Sequence, residues 1–139
     1  MPDREAILRT IDEGYARRAA GDKAGVAAVL APDATFRVAG DLSEMPWAPS
    51  YDRGAMPAIE TLMDNFHFHA IERIGEIVEA DKAAIHWRVT LSYNGGPQAT
   101  TELYDFWTIR PDGKLGSLVQ FADTALIARL SGFALAPAK

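Results

Sequence analysis

The stretch QATTELYDFWTIRPDGKLGSLVQFAD, residues 98–123, decides the fold. Its apolar and aromatic side chains predict two long strands joined at Pro111-Asp112-Gly113. Because side chains alternate along a strand, Leu103, Asp105 and Trp107 are expected on one face and Glu102, Tyr104 and Phe106 on the other. Both faces carry large apolar groups, so we expect both to be covered.

The rest of the chain predicts an α+β fold in the order α-α-β-α-β-β-β-β. Helices are expected at residues 3–20, 22–30 and 54–65, strands at 34–39, 67–79 and 82–93, and a closing helical turn at 124–130. Asn94-Gly95-Gly96-Pro97 is typical of a hairpin turn between the strand at 82–93 and the strand that starts at about residue 98. Three helices packed on one side of a curved, mostly antiparallel sheet is the expected architecture.

Composition limits the class of partner. The 139 residues predict one domain, 1–139, with its core at about 4–131 and a loose tail from Gly132. A net charge of −5 without a basic patch argues against a nucleic-acid partner. The absence of cysteine excludes disulfides and thiolate chemistry. The amphipathic N-terminus predicts neither a signal peptide nor a membrane partner, so we expect a cytoplasmic protein.

Two pieces of the sequence carry a resemblance to a known superfamily. Tyr15 with GDKAGVAAVLAPDATF (21–36), and YDFWTIRPDGKLGSLVQFADTAL (104–126), resemble the nuclear-transport-factor-2-like (NTF2-like) superfamily, which includes ketosteroid isomerases, limonene epoxide hydrolases and SnoaL-type polyketide cyclases. The ending at residues 121–125 is most similar to SnoaL-like proteins. The resemblance implies a cone that encloses a deep apolar pocket, no cofactor, and a homodimer formed through the outer sheet face.

Asp105 is the leading candidate for chemistry. Ketosteroid isomerases, which this region resembles, place a neutral aspartic acid at this spacing before the turn glycine, here Gly113. Burial in an apolar pocket raises the pKa of a carboxyl in that way. The alternative is a structural pair with Arg88 or His86, because counting back through the 94–97 turn places His86 opposite Asp105. If His86 faces inward it is a second proton carrier, and Trp87 then faces the dimer side.

The sequence lacks several catalytic residues of the enzymes that it resembles, which limits the reactions to be expected. The position of the isomerase's base falls at Val38, which cannot transfer a proton, and Tyr15 is one residue out of step with the isomerase's tyrosine. Tyr15 is therefore expected to be a core aromatic whose hydroxyl reaches the pocket. The epoxide hydrolase pattern matches at Arg88, but Thr90 and Gln120 stand where that family has acids. The alternative for Arg88 is a sheet ion pair, which we favour over a ligand contact.

The face occupied by Gln120 depends on the turn before it. A two-residue turn places Gln120 on the pocket face with Asp105, Leu118 and Ala122. A three-residue turn with a bulge instead turns Phe121 and Asp123 inward. Asp123 is also a candidate N-cap for the last helical turn.

The resulting hypothesis is a SnoaL-like protein that binds a small apolar molecule. Asp105 and His86 are the predicted proton carriers, and the predicted ligand contacts are Tyr15, Phe36, Val38, Trp47, Tyr51, Arg88, Leu103, Trp107 and Gln120. The chemistry would be cofactor-free isomerisation, cyclisation or hydrolysis of a polyketide- or terpene-like compound. The alternative is a non-catalytic ligand-binding or dimeric assembly module. The three histidines are too far apart along the predicted strands for one metal ion, so no metal is expected.

Overall fold

The computed structural model describes residues 1–132. Within them the chain forms helices α1 (Arg4–Ala19), α2 (Lys23–Val29), α3 (Ala55–Asn65) and α4 (Thr124–Leu130), and strands β1 (Leu30–Val38), β2 (Phe66–Glu79), β3 (Lys82–Tyr93), β4 (Ala99–Ile109) and β5 (Leu115–Ala122). The predicted α+β architecture is confirmed. Apart from Gly132, the tail expected to be loose lies outside the described residues.

The five strands form one mixed sheet in the order β1-β5-β4-β3-β2. Strand β1 runs parallel to β5, and the other neighbouring pairs are antiparallel. Strand β1 begins at Leu30, four residues earlier than predicted, because the chain passes from α2 directly into extended backbone. None of the helices in the described part of the chain is long and apolar enough to cross a membrane.

Aspartates cap the N-termini of three of the helices. Asp3 accepts a hydrogen bond from the Ala6 backbone N–H, Asp22 from Gly25 and Asp123 from Leu126, at 2.8–3.1 Å. Each side chain satisfies a donor that a helix end leaves without a partner. Asp123 is therefore a cap rather than a group turned into the pocket.

Helix α1 packs one apolar face against the inner face of the sheet. The buried residues of α1 recur at spacings of three and four: Ile7, Leu8, Ile11 and Tyr15. The same spacing continues to Arg18 in the last turn, which is partly buried. The α1 face thus ends in a tyrosine hydroxyl and a guanidinium group, and both reach the interior.

The pairing of β3 with β4 differs by one residue from the predicted register. Asp105 lies opposite Ile85, and His86 lies opposite Tyr104. Leu91 pairs with Ala99, whereas the predicted register would pair it with Thr100, so each β3 residue meets β4 one residue earlier than expected. Since a one-residue slip moves every side chain of a strand to the other face, this difference reverses the predicted orientation of β3.

The pairing of β4 with β5 resolves the alternatives for Gln120. Asp105 lies opposite Gln120 and Trp107 opposite Leu118, although the register shifts between Thr108 and Ile109. Leu118 is buried, whereas Phe121 is 53% exposed. Gln120 therefore lies on the same face as Asp105.

Candidate functional site

Two small apolar chambers lie between the helices and the inner face of the sheet. The first chamber has a volume of about 70 Å³ and is lined by Ile11, Gly14, Tyr15, Arg18, Val26, Val29, Leu30, Phe36, Ile59, Leu62, Phe68, Trp107, Leu115, Leu118 and Gln120. The second has a volume of about 50 Å³ and is lined by Arg18, Val38, Leu42, Trp47, Leu62, Phe66, Phe68, Leu91, Leu103, Gln120, Ala122, Thr124 and Ile127. Since both linings include Arg18, Leu62, Phe68 and Gln120, the two chambers adjoin at these side chains.

A buried hydrogen-bond network forms one wall of the first chamber. The Tyr15 hydroxyl is bonded to Oδ2 of Asp105, and Nε1 of Trp107 donates to the Tyr15 hydroxyl at 3.2 Å. Nε2 of Gln120 donates to the same Asp105 oxygen at 3.3 Å. The Tyr15 ring packs against Trp87, with 4.2 Å between ring centroids, which holds the hydroxyl in place. Four polar groups from one helix and two strands thus converge in an apolar interior.

Asp105 lies behind the chamber wall rather than on it. Its side chain is 1% exposed and contributes to the lining of neither chamber, whereas Tyr15 and Gln120 stand between it and the cavity. Within residues 1–132, no cation pairs with this carboxyl and its Oδ1 atom has no hydrogen-bond partner. The alternative of a structural pair with Arg88 or His86 is therefore wrong.

Burial sets the protonation state of Asp105. Desolvation raises the pKa of Asp105 to about 8, and the hydrogen bond from Gln120 opposes this rise. The carboxyl is consequently neutral for the most part at pH 7. A neutral carboxyl is a donor as well as an acceptor, so Asp105 is able to donate to the Tyr15 oxygen.

Arg18 supplies the cationic group of the cavity. Its guanidinium carbon lies 4.0 Å from the centroid of the Phe68 ring, and Nη2 donates to the Leu62 carbonyl oxygen at 3.4 Å. Burial lowers the pKa of Arg18 to about 10, so the side chain stays charged at pH 7. Among the described residues that line either chamber, Arg18 alone bears a formal charge.

His86 lies on the outer face of the sheet, which corrects its predicted position beside Asp105. Its Nε2 atom is 2.5 Å from Oε1 of Glu102, and its Nδ1 atom is hydrogen-bonded to the Tyr104 hydroxyl at 3.0 Å. The His86 and Tyr104 rings stack with centroids 4.1 Å apart. The one-residue difference in register is the reason, and His86 has no route to the cavity through the sheet.

The same difference in register also changes the positions predicted for Trp87 and Arg88. Trp87, expected on the dimer side, is 3% exposed and packs inside against Tyr15. Arg88, expected to contact the ligand, extends from the outer face, where its side chain is 50% exposed and lies 3.8 Å from Glu72. The ion-pair alternative for Arg88 agrees with this position.

Most of the other predicted ligand contacts do line the cavity. Phe36, Tyr15 and Trp107 line the first chamber, Val38, Trp47 and Leu103 line the second, and Gln120 lines both. Tyr51 contributes to neither lining: it is 37% exposed, packs on Phe36, and its hydroxyl accepts from the Val38 backbone N–H at 3.2 Å. It holds β1 from outside the cavity, so its predicted place in the site is wrong.

Sequence reasoning missed Arg18 and Phe68. Arg18 follows Ile7, Ile11 and Tyr15 at helical spacing, and this continuation of an apolar face was the available signal. Phe68 had no comparable signal, because β2 contains a register shift between Phe68 and Ala70. A pattern of strict alternation does not predict the orientation of residues around such an irregularity.

The protein has a mixed sheet covered by helices and a small apolar cavity between them, which is the architecture of NTF2-like α+β proteins. The model of the SnoaL-like domain family matches residues 11–117, so the chain belongs to this family within the NTF2-like superfamily. This confirms the resemblance seen in the sequence. No curated protein matches the chain significantly in sequence.

Solved structures with the same fold have low sequence identity to the chain. A proposed isomerase from Bacillus subtilis has a TM-score of 0.81 at 12% identity, with 97% of this chain and 99% of that chain covered. TerC, co-crystallised with polyporic acid, has a TM-score of 0.74 at 17% identity, with coverages of 91% and 98%. AclR, a proposed hydroxylase from Streptomyces galilaeus, has a TM-score of 0.71 at 14% identity, with coverages of 99% and 91%.

Proposed function

We propose that the protein binds a small, mostly apolar molecule in the two chambers and polarises one of its oxygen atoms with the Tyr15 hydroxyl. The observation that carries this proposal is the hydrogen bonding of Tyr15 to buried Asp105 and Trp107 at the wall of an apolar cavity. TerC, which shares the fold and was co-crystallised with polyporic acid, supports an organic ligand for this architecture.

The proposed mechanism depends on neutral Asp105. The Tyr15 hydroxyl and Oδ2 of Asp105 are hydrogen-bonded, and the Tyr15 oxygen also accepts from Trp107. When Asp105 is protonated, its own hydrogen would instead be donated to the Tyr15 oxygen. The Tyr15 hydrogen is then available to a carbonyl, enol or epoxide oxygen in the first chamber. Donors aligned in advance stabilise negative charge that develops on such an oxygen. Ionised Asp105 would instead take the Tyr15 hydrogen for itself, so the cavity loses its donor as the pH rises through about 8.

The reaction class we favour is isomerisation or cyclisation of an oxygenated polyketide- or terpene-like compound without a cofactor. Tyr15 is the catalytic residue in this scheme, because it lines the chamber and its hydroxyl would touch the substrate. Asp105 is a positioning residue that acts through Tyr15. Gln120, which lines both chambers, would orient the ligand or a water molecule, and its amide cannot act as a general base.

An infrared measurement tests the proposed hydrogen bond directly. The probe is 2-acetylnaphthalene, an apolar ketone, and the readout is the stretching frequency of its carbonyl when bound. The wild-type protein should lower this frequency relative to the ketone in hexane, and Tyr15→Phe should abolish the shift. Tyr104→Phe is the matched control, because its hydroxyl lies on the outer face and contacts His86.

The pH dependence of the same signal separates the roles of the two residues. The shift should weaken as the pH rises through about 8 in the wild-type protein and should lose this dependence in Asp105→Asn. An unshifted carbonyl in the bound wild-type complex would overturn the role of Tyr15. Failure of the ketone to bind at all would overturn the cavity as a ligand site.

A non-catalytic ligand-binding protein is the second candidate function. It is favoured by one observation: no aspartate, glutamate or histidine side chain lines either chamber within the described part of the chain. A reaction that needs a general base would have to obtain it from the substrate. Turnover assays with enones, epoxides and polyketide-like esters distinguish the two, since only the enzyme reading predicts product formation that is lost in Tyr15→Phe.

The outer sheet face is the surface we propose for a homodimer. Tyr104, Phe106 and Phe121 are 54%, 41% and 53% exposed, and Tyr104 pairs directly with Phe121. Exposed aromatic clusters of this kind commonly mark interaction surfaces. Sedimentation equilibrium of the wild-type protein should give a dimer, and Phe106→Asp with Phe121→Asp should give a folded monomer. A monomeric wild type would overturn the proposal.

The cytoplasmic location stays a prediction.

A further inference from the structure

Arg18 lies where the two chambers adjoin, and it has few protein partners. Its guanidinium group packs over Phe68 and donates to the Leu62 carbonyl at the long distance of 3.4 Å. A guanidinium group carries five N–H donors, so one weak hydrogen bond leaves most of them unused. In the described residues no carboxylate lies within ion-pair distance of Arg18.

The neighbouring arginine shows what a purely structural role looks like in this helix. Arg17 lies 2.8 Å from Glu13 and 3.6 Å from Asp22, and it faces solvent. Arg18 points the other way, into an apolar cavity, where an unpaired charge is costly. Proteins normally offset that cost with an opposite charge. The cavity lining in residues 1–132 provides none, because its remaining side chains are uncharged.

We propose that Arg18 binds an anionic oxygen of the ligand, so that the natural ligand is a small apolar organic acid whose carboxylate, enolate or phenolate group sits between the two chambers. This inference rests on the proposed function and specifies its ligand. The planar guanidinium group matches a carboxylate with two parallel hydrogen bonds. The apolar remainder of the ligand would occupy the chambers on either side, within reach of Tyr15 and Gln120.

Asp105 supports this assignment by its protonation state. Its burial without a cation keeps the carboxyl neutral below about pH 8, so it does not repel an anion in the adjoining chamber. Arg18 therefore sets the charge of the interior at pH 7. An anionic ligand would in turn disfavour ionisation of Asp105, because like charges oppose each other.

The test compares two probes of equal shape and different charge. Isothermal titration calorimetry at pH 7 measures the affinities of 2-naphthoate, an anion, and 2-naphthamide, its neutral analogue. We expect the wild-type protein to prefer 2-naphthoate by tenfold or more. Arg18→Met, which keeps the length and apolar stem of the side chain, should remove this preference and leave the affinity for 2-naphthamide within twofold. Arg17→Met is the matched control and should preserve both affinities.

Arg18→Lys gives a second variant in case the methionine variant does not fold. Lysine keeps the charge and loses the planar pair of donors, so part of the preference should remain. Equal affinity of the wild-type protein for both probes would overturn the anion site and leave the cavity as a ligand site intact. An equal loss of both affinities in folded Arg18→Met would also overturn it, by assigning Arg18 a packing role. Binding of neither probe by the wild-type protein would overturn this inference, and binding of 2-acetylnaphthalene in the infrared test would show that the proposed function survives it.

Discussion

Strand β4 carries two carboxylates three residues apart, and the two faces of the sheet give them opposite surroundings. Asp105 on the inner face is 1% exposed and contacts Tyr15 and Gln120. Glu102 on the outer face has a side chain that is 58% exposed and contacts His86. The chemical group is the same, and burial without a cation raises the pKa of Asp105 to about 8. Position on the strand, rather than residue type, decides which carboxylate is available for chemistry.

The aromatic residues of β4 show the same contrast in packing. Trp107 is 4% exposed and lines the first chamber, whereas its neighbour Phe106 is 41% exposed on the outer face. Both are large apolar side chains, so their residue types alone do not show which of them the helices cover. Three experiments compare residues on the inner and outer faces, and their outcomes would either contradict or sharpen this contrast.

The largest expected effect is a loss of stability when an aromatic side chain of β4 is replaced by alanine. Trp107→Ala should lower the free energy of unfolding by about 3–5 kcal/mol, because it leaves a cavity in the core and removes the donor to Tyr15. Phe106→Ala should cost less than about 1 kcal/mol in the monomer, since the side chain buries little surface there. Urea denaturation at a concentration that keeps the protein monomeric measures both. Similar losses in the two variants would contradict the difference between the faces.

The second prediction concerns pH. Because the folded-state pKa of Asp105 is about 8 and the unfolded value is 3.8, the folded protein holds a proton that the unfolded chain releases between these values. The contribution of Asp105 to stability is therefore fully present below pH 3.8 and is lost as the pH rises to about 8, by up to about 1.4 kcal/mol per pH unit. Asp105→Asn should remove this slope and gain stability relative to the wild type as the pH rises.

Urea denaturation at half-unit intervals from pH 4 to pH 9 measures the slope. Glu102→Gln is the control: it removes one carboxylate from the exposed face and should leave the slope of the wild type largely in place. A wild-type stability that rises with pH in this window, in step with Asp105→Asn, would show that Asp105 is ionised and has a partner.

The smallest effect is expected at the outer pair of His86 and Glu102. The pair is close, at 2.5 Å, but Glu102 is well exposed to solvent. Exposed ion pairs contribute little, so a double-mutant cycle with His86→Ala and Glu102→Ala should give a coupling energy of at most about 1 kcal/mol. A much larger value in the monomer would mean that the outer face is more protected from water than its exposure indicates.

Much of the site could be predicted from local patterns. The helical spacing of α1 placed Tyr15 on its buried face, and the alternation of β4 placed Asp105 among Leu103 and Trp107. Both patterns depend only on the period of one element. The prediction of Asp105 as a proton carrier required a further step, direct access to the cavity, and there the structure places Tyr15 in front of it.

The errors in the orientation of β3 come from its connection to β4. A pairing register one residue away from the predicted one placed His86 and Arg88 on the outer face and Trp87 inside. Asn94 and Gly95 adopt positive φ angles of 46° and 77° there, a geometry that the Asn-Gly dipeptide signals without fixing the length of the loop. Arg18 was missed for a different reason, since a single helix does not show which element will cover its last turn.

The sequence by itself determined the α+β class, the order of the elements, the helix caps and the inner face of β4, because each depends on the periodicity or capping of a single segment. Only the tertiary structure decided which side chains of different elements meet: Tyr15 with Asp105, Asp105 with Gln120, and Arg18 with Phe68. The physical reason is that strand register depends on the packing of whole faces, and a shift of one residue exchanges those faces.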